Sequence, residues 1–219
     1  MQDEAIALSF WKNDTVLYVA TKANVAFILD AGTGEELDVF KFCDWEEEEI
    51  REHRYRRPPI YADFAPALGL LGLSYPHRPV SFWGLDGYEY EGQFHRSGAL
   101  YPEPLIVAFA FNPNPDIQLA AVSFQDGVTF VFDPISLTIQ ATADTNASVL
   151  SISPDGTILA VGTGNGIIKL YDFRTMTLLK QVFLQRESIR ALAFNSTGTR
   201  VFDIRGDYCN IWQPSVLFR

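Results

Sequence analysis

The segment Pro154–Asp172, PDGTILAVGTGNGIIKLYD, recurs without a gap at Lys12–Asp30, Pro66–Gly84 and Pro115–Asp133, and with one residue fewer at Ser196–Gln213. Self-similarity of this kind means one supersecondary unit stacked on copies of itself. Around the parent copy, Val149–Ser153 alternates apolar and polar, Pro154-Asp155-Gly156 turns, and Ile158–Val161 is a continuous apolar run, as for a strand buried on both faces. Asn165-Gly166 then predicts a type I′ hairpin turn, Ile167–Phe173 alternates around Lys169, and Thr177–Phe183 makes a fourth run. Four antiparallel strands per unit follow.

The five units span 5–42, 60–94, 105–143, 147–183 and 188–219, in a single region covering 1–219. The first strands of the first and third units read as Ala5–Phe10 and Leu105–Phe111. The fourth runs of the first three units read as Glu35–Phe42, Gly87–Phe94 and Ile135–Ala141. In Gly87–Phe94, alternation sets Tyr88 and Tyr90 on one face and Glu89 and Glu91 on the other. Asp126-Gly127 stands where Asn165-Gly166 does, predicting a second I′ turn, whereas Tyr75-Pro76-His77-Arg78 lacks such a pair and its turn must differ in shape. The fifth unit is cut short, with Pro214–Arg219 able to form only a stub of a fourth strand. The residues Phe132, Tyr171 and Trp212 lie 39 and 41 apart. A period near 40 with four strands per unit is the signature of a β-propeller rather than a helical solenoid.

Between the first two units, the charged stretch 44–59 carries four consecutive glutamates followed by arginines. Glu47 with Arg51 and Glu52 with Arg56 have the favourable i,i+4 order, so a short solvated helix in an exposed insertion is expected. A hydrophobic content of 47% is ample for a core, while a net charge of −10 argues against nucleic acid or an anionic membrane as the main partner. Cys43 and Cys209 sit on different repeats and read as buried free thiols. The first residues lack a basic, apolar leader pattern, and no stretch reaches transmembrane length, so a cytoplasmic setting is expected. The sequons at Asn13, Asn146 and Asn195 read accordingly as turn residues.

No reaction chemistry is legible, and no catalytic residue, cofactor or metal is expected. The glycine-rich Gly162–Gly166 is followed by a β-alternating run instead of the helix a phosphate loop requires. His53, His77 and His95, the only histidines, have no second ligand at metal spacing, and Glu46–Glu49 forms a charge run and not an opposed pair. The residue types favour a surface that binds other proteins or peptides. Its candidates are Tyr75, His77 and Arg78 in the odd turn, Trp83, Tyr88 and Tyr90 nearby, and the insert Glu46–Arg57, since aromatic and arginine side chains dominate binding hot spots. Trp83 is as well read as core.

These units resemble WD40 repeats: a Ser-Pro-Asp-Gly turn, a small-residue strand, an Asn/Asp-Gly turn and an aromatic-Asp pair closing the third strand. Tyr171-Asp172 and Phe132-Asp133 come closest to the Trp-Asp signature, followed by Leu29-Asp30, Trp83-Gly84 and Trp212-Gln213. The markers of the repeat are Asp30, Trp83, Asp133, Tyr171, Asp172 and Trp212. The resemblance implies an all-β, WD40-type β-propeller of about five four-stranded antiparallel blades acting as a non-catalytic interaction scaffold. A propeller enzyme with a site in a central channel is the alternative. Such propellers usually close with seven blades, so a part of a larger propeller, or an open arc with exposed sheet edges, is expected. The Gly-His pair found in many WD40 blades does not occur, and only Asp126 and Asp207 sit near the turn aspartate, so the polar network of those blades is expected to be mostly missing. The run Arg200–Leu217 is also similar to WD40 regions of fungal signalling proteins that carry an upstream NACHT domain, which implies a sensor or ligand-holding role.

Overall fold

The computed structural model describes residues 4–42, 58–96, 103–183 and 186–215. It is all-β, with five antiparallel sheets whose strands pair in sequence order. The first sheet holds β1 (Ala5–Trp11), β2 (Val16–Thr21), β3 (Val25–Asp30) and β4 (Glu36–Lys41), and the second β5 (Tyr61–Ala65), β6 (Leu70–Ser74), β7 (Val80–Gly84) and β8 (Tyr90–Phe94). The third holds β9 (Ile106–Phe111), β10 (Ala120–Phe124), β11 (Val128–Phe132) and β12 (Ile139–Asp144). The fourth holds β13 (Ala147–Ile152), β14 (Ile158–Thr163), β15 (Ile167–Asp172) and β16 (Leu178–Phe183), and the fifth β17 (Ala191–Phe194), β18 (Val201–Arg205) and β19 (Tyr208–Trp212). Cα proximity groups the chain into two compact units, Met1–Glu103 with two of these blades and Pro104–Arg219 with three.

Within each unit, neighbouring blades adjoin through their first strands, β1 with β5, β9 with β13 and β13 with β17. Second strands are buried on both faces, as their continuous apolar runs require: β6, β10 and β14 are buried along their whole length. Blades stack through apolar faces. Tyr18, Ala20, Ile28 and Phe40 of the first pack on Phe64, Leu71, Leu73 and Trp83 of the second. Ala121 and Val131 of the third meet Leu159, Val161 and Tyr171 of the fourth, whose other face carries Ala160, Ile168 and Leu170 against Val201 and Ile189.

The turns explain which residues the repeat retains. Asp30, Asp133 and Asp172 close the third strand, and each side chain accepts hydrogen bonds from backbone amides two or three residues on: Gly32 and Thr33, Ile135 and Ser136, and Thr175. The conserved-looking aspartate of the template is therefore an Asx-turn residue that fixes the third-to-fourth-strand connection. Thr33 donation holds the Asp30 carboxyl below its ordinary range. At Asp133 burial works in the opposite direction, but donation from Ser136 and Ile135 outweighs it. The same connection ends in a left-handed residue in four blades, Gly34, Tyr88, Leu137 and Met176, beside a bulge at the last pair of the third strand.

Several expectations are corrected. The turns at Asn165-Gly166 and Asp126-Gly127 are not type I′, because only the glycines have positive φ, 84° and 96°. Each loop has three residues between the strand ends, closed by Gly166 N donating to Thr163 O and Gly127 N to Phe124 O, a type I turn followed by a left-handed bulge residue. Asn24, with φ 62°, takes that bulge position in the first blade. The fourth strand of the third blade is Ile139–Asp144 and not Ile135–Ala141, since the Asp133 turn holds Ile135, 65% exposed, in the loop. Cys209 is exposed and not buried: on β19 it shares a face with Ile211, which is also exposed. Cys43, the charged stretch 44–57 with His53 and its suggested helix, and residues 216–219 of the expected stub lie outside the described residues.

Candidate partner-binding surface

Of the residues singled out by sequence, Tyr75, His77 and Arg78 lie in the second-to-third-strand turn of the second blade. Trp83, Tyr88 and Tyr90 surround its third-to-fourth-strand connection. The structure does not bring the two groups together. They sit at opposite ends of β7, whose four steps of about 3.3 Å separate them by roughly 13 Å along the strand.

Burial divides them again. Tyr75 is fully buried and its hydroxyl donates to Asn24 Oδ1 at 2.8 Å, tying the turn of the second blade to that of the first. Trp83 is buried in the core between these blades, its ring 5.7 Å from that of Tyr90, which is 46% exposed. Tyr88 is not a member of β8 at all. With φ 58° it occupies the left-handed turn position, which breaks the alternation with Tyr90 expected from sequence. Its ring stacks on Phe40 at 4.4 Å and its hydroxyl donates to Asp38 of β4. Burial and that acidic acceptor push the Tyr88 phenol up to about 12 and make it a clasp between blades. Tyr75, Trp83 and Tyr88 thus hold the blades, leaving His77, the half-buried Arg78 and Tyr90 toward solvent.

At the end of the blade that carries His77, a polar cluster forms which sequence reading did not identify. His77 Nδ1 lies 3.3 Å from the Glu103 carbonyl oxygen, and Gln93 Nε2 donates to His95 Nε2 at 2.7 Å. That donation leaves the proton on His95 Nδ1, which faces Glu103 Oε1 at 3.4 Å. Glu103 is 7% exposed, and its other carboxylate oxygen has no hydrogen-bond partner among the described residues. The hydroxyls of Ser74 and Ser81, on paired strands at this end, are likewise buried without a partner among the described residues. The cluster assembles because β8 runs back to the turn end, so that Val80 pairs with Phe94 and His95 follows directly. Only the pairing register could have revealed it, since Gln93, His95 and Glu103 share no motif with His77. A nearly buried carboxylate behind two exposed imidazoles gives this end of the blade an acidic, polar rim suited to partners that offer N–H or ammonium donors.

A second depression, of about 280 Å³, lies at the equivalent end of the fourth blade, lined by Asn146, Thr163, Asn165 and Lys169. There the lining is already paired: Lys169 Nζ donates to Thr145 O at 2.9 Å and Thr163 Oγ1 to Asn165 Oδ1. Among the described residues no group of three His, Cys, Asp or Glu side chains could hold a metal ion.

The polar network expected to be mostly missing is present in another form. In the fifth blade Asp203, fully buried, accepts from Arg205 Nε at 2.8 Å, Asn210 Nδ2 at 3.0 Å and the indole of Trp212, while Arg205 also donates to Gly166 O of the fourth blade. Burial raises the Asp203 carboxyl, yet these donors and the Arg205 charge outweigh it and hold the group below its ordinary range. In the third blade, Ser123, Thr129 and Thr145 form a buried hydroxyl chain with 2.6 Å links.

Residues 106–197 match the family model of the anaphase-promoting complex subunit 4 WD40 domain, a span that runs from β9 through β17. No curated protein matches the chain. The repeat, the sequentially paired sheets, the Asx-turn aspartates and this match agree on one fold: the chain is built of β-propeller blades, and its span 106–197 is similar to a WD40 domain.

Proposed function

We propose that the chain is a non-catalytic interaction scaffold that binds other proteins or peptides through the turn end of the second blade, around His77, Gln93, His95 and Glu103. The observation that carries this reading is the buried Glu103 carboxylate, one oxygen of which has no partner among the described residues, rimmed by two exposed histidines. WD40 propellers generally serve as protein-interaction platforms, and a rim of loops on a rigid stack is where such folds place contacts. Partners offering backbone amides, lysine or arginine suit both this acceptor and the net charge of −10. The similarity of Arg200–Leu217 to NACHT-associated propellers supports a sensor role within a signalling protein.

Affinity capture with the tagged full chain, followed by titration of the purified partner, tests this. Glu103→Gln and His95→Ala are expected to weaken binding at least tenfold, and Tyr90→Ala, at the other end of the blade, less than twofold. Equal affinity for all three variants and the parent chain would remove the assignment.

A further inference from the structure

Lys169 of β15 departs from the repeat template. The aligned positions of the other blades hold Phe27, Ser81, Phe130 and Asn210, so the fourth blade alone places a cation there. Its neighbours across the sheet are Val161 and Gln181, and its side chain is half-buried. A charge drawn partly out of water is normally paired with an opposite one. Lys169 has no such partner among the described residues: Nζ donates to the Thr145 carbonyl oxygen at 2.9 Å, and Asp144, beside Thr145 on the chain, is exposed and forms no ion pair with it. That contact commits one of three ammonium protons.

Lys169 lines the depression of about 280 Å³ at the turn end of its blade, together with Asn146, Thr163, Gly164, Asn165 and Ile167. No acidic residue belongs to this lining, although the chain carries a net charge of −10. Asn165 supplies a second donor. Thr163 Oγ1 accepts from Ile167 N at 3.0 Å and donates to Asn165 Oδ1, which fixes the carboxamide and leaves its Nδ2 without a partner among the described residues. The turn is braced as well, because Arg205 Nη1 of the fifth blade donates to Gly166 O at 2.8 Å. Ammonium and carboxamide are thus positioned in advance, which lowers the ordering cost of binding. All of these residues belong to the compact unit Pro104–Arg219.

We propose that this depression is a second binding site, which takes a carboxylate of a protein or peptide partner, the carboxylate oxygens accepting from Lys169 Nζ and Asn165 Nδ2. The charge count selects this class: one ammonium balances one carboxylate, whereas a phosphate dianion would stay partly uncompensated on an acidic chain. Size agrees, since the volume falls below the roughly 300–1,000 Å³ of pockets that enclose drug-sized ligands, so an acidic side chain or a chain end fits. The site shares no residue with the cluster of His77, His95 and Glu103 and offers the opposite charge.

NMR of the isotope-labelled full chain during titration with two monocarboxylate probes tests the proposal. N-acetylglutamate α-amide carries a side-chain carboxylate and N-acetylglycine a terminal one, which separates the two sources of the group. Neutral N-acetylglutamine α-amide is the control. At least one acid is expected to give saturable shifts at Asn146, Asn165 and Gly166, and the neutral probe none at the same concentrations. Lys169→Met is expected to abolish those shifts. Asn165→Asp sets a negative charge in the lining and is expected to abolish them too, and it keeps the turn, since Asp126-Gly127 closes the equivalent one in the third blade. Should Lys169→Met not fold, the second variant decides. No saturable shift with either acid, equal shifts with the neutral probe, or shifts that persist in a folded variant would each overturn the proposal. His95→Ala is expected to leave the shifts unchanged, so this site and the second-blade surface stand or fall separately.

Discussion

The second and fifth blades place a tryptophan at the same point of the template and treat it in opposite ways. Trp212 closes the third strand of the fifth blade and donates to Asp203. Trp83 closes the third strand of the second blade, and its indole nitrogen has no hydrogen-bond partner among the described residues. The alignment places Leu73 of the second blade where Asp203 stands in the fifth. One substitution in the second strand therefore decides whether the strand-closing tryptophan joins a polar network or only packs. Introducing the carboxylate required further partners, because an ion buried alone costs several kcal/mol. Arg205 and Asn210 supply them. The second blade lacks that set and relies on Leu71, Leu73 and Phe64 around the ring.

The largest expected effect comes from making the fifth blade like the second. Asp203→Leu strands the Arg205 guanidinium and is expected to lower unfolding free energy by about 3–5 kcal/mol, read by urea denaturation. Because the folded-state Asp203 carboxyl is held below its ordinary range, its contribution is fully present above the unfolded value of about 3.9 and fades as pH falls through the folded one. The stability difference between parent and Asp203→Leu should accordingly be constant near neutrality and shrink below about pH 4. A gap that widened in acid would contradict the network.

A paired comparison is next in size. Trp212→Phe removes a donor from a buried carboxylate and should cost about 1–3 kcal/mol beyond the loss of ring volume. Trp83→Phe removes an N–H with no partner among the described residues and should escape that penalty. Equal losses would mean that the two indoles are equivalent after all. Tyr75→Phe, which leaves buried Asn24 Oδ1 without its 2.8 Å donor, is expected to cost about 1–2 kcal/mol in the same assay. The smallest effect is spectroscopic. Tyr88→Phe should remove the phenol that ionises near 12 from an alkaline absorbance titration, and the parent's stability should decline as pH rises from about 10 through that value.

Much of this was readable from residue order. The period, the alternation and the apolar second strands placed nearly every strand within one or two residues, because burial on one or both faces dictates those patterns locally. The turn chemistry was less legible. An Asn-Gly pair signals a left-handed residue, but whether the loop holds two residues or three depends on where the strands pair, and the pairing made Gly166 a bulge residue. Alternation also failed at Tyr88, where a bulge consumed one position. Exposure was not legible either, since aromatic type alone does not separate Tyr90, half exposed, from Tyr75, fully buried.

By itself the sequence determined the repeat, and with it the fold class, the strand order and the aspartates that hold the turns, all of which are set by contacts within a few residues. Only the tertiary structure decided which side chains reach across blades, Tyr75 to Asn24, Tyr88 to Asp38 and Arg205 to Gly166, and only it brought His95 to Glu103. Those pairings depend on strand register and blade stacking. A repeat motif specifies the unit and leaves such distant contacts to the geometry of the stack.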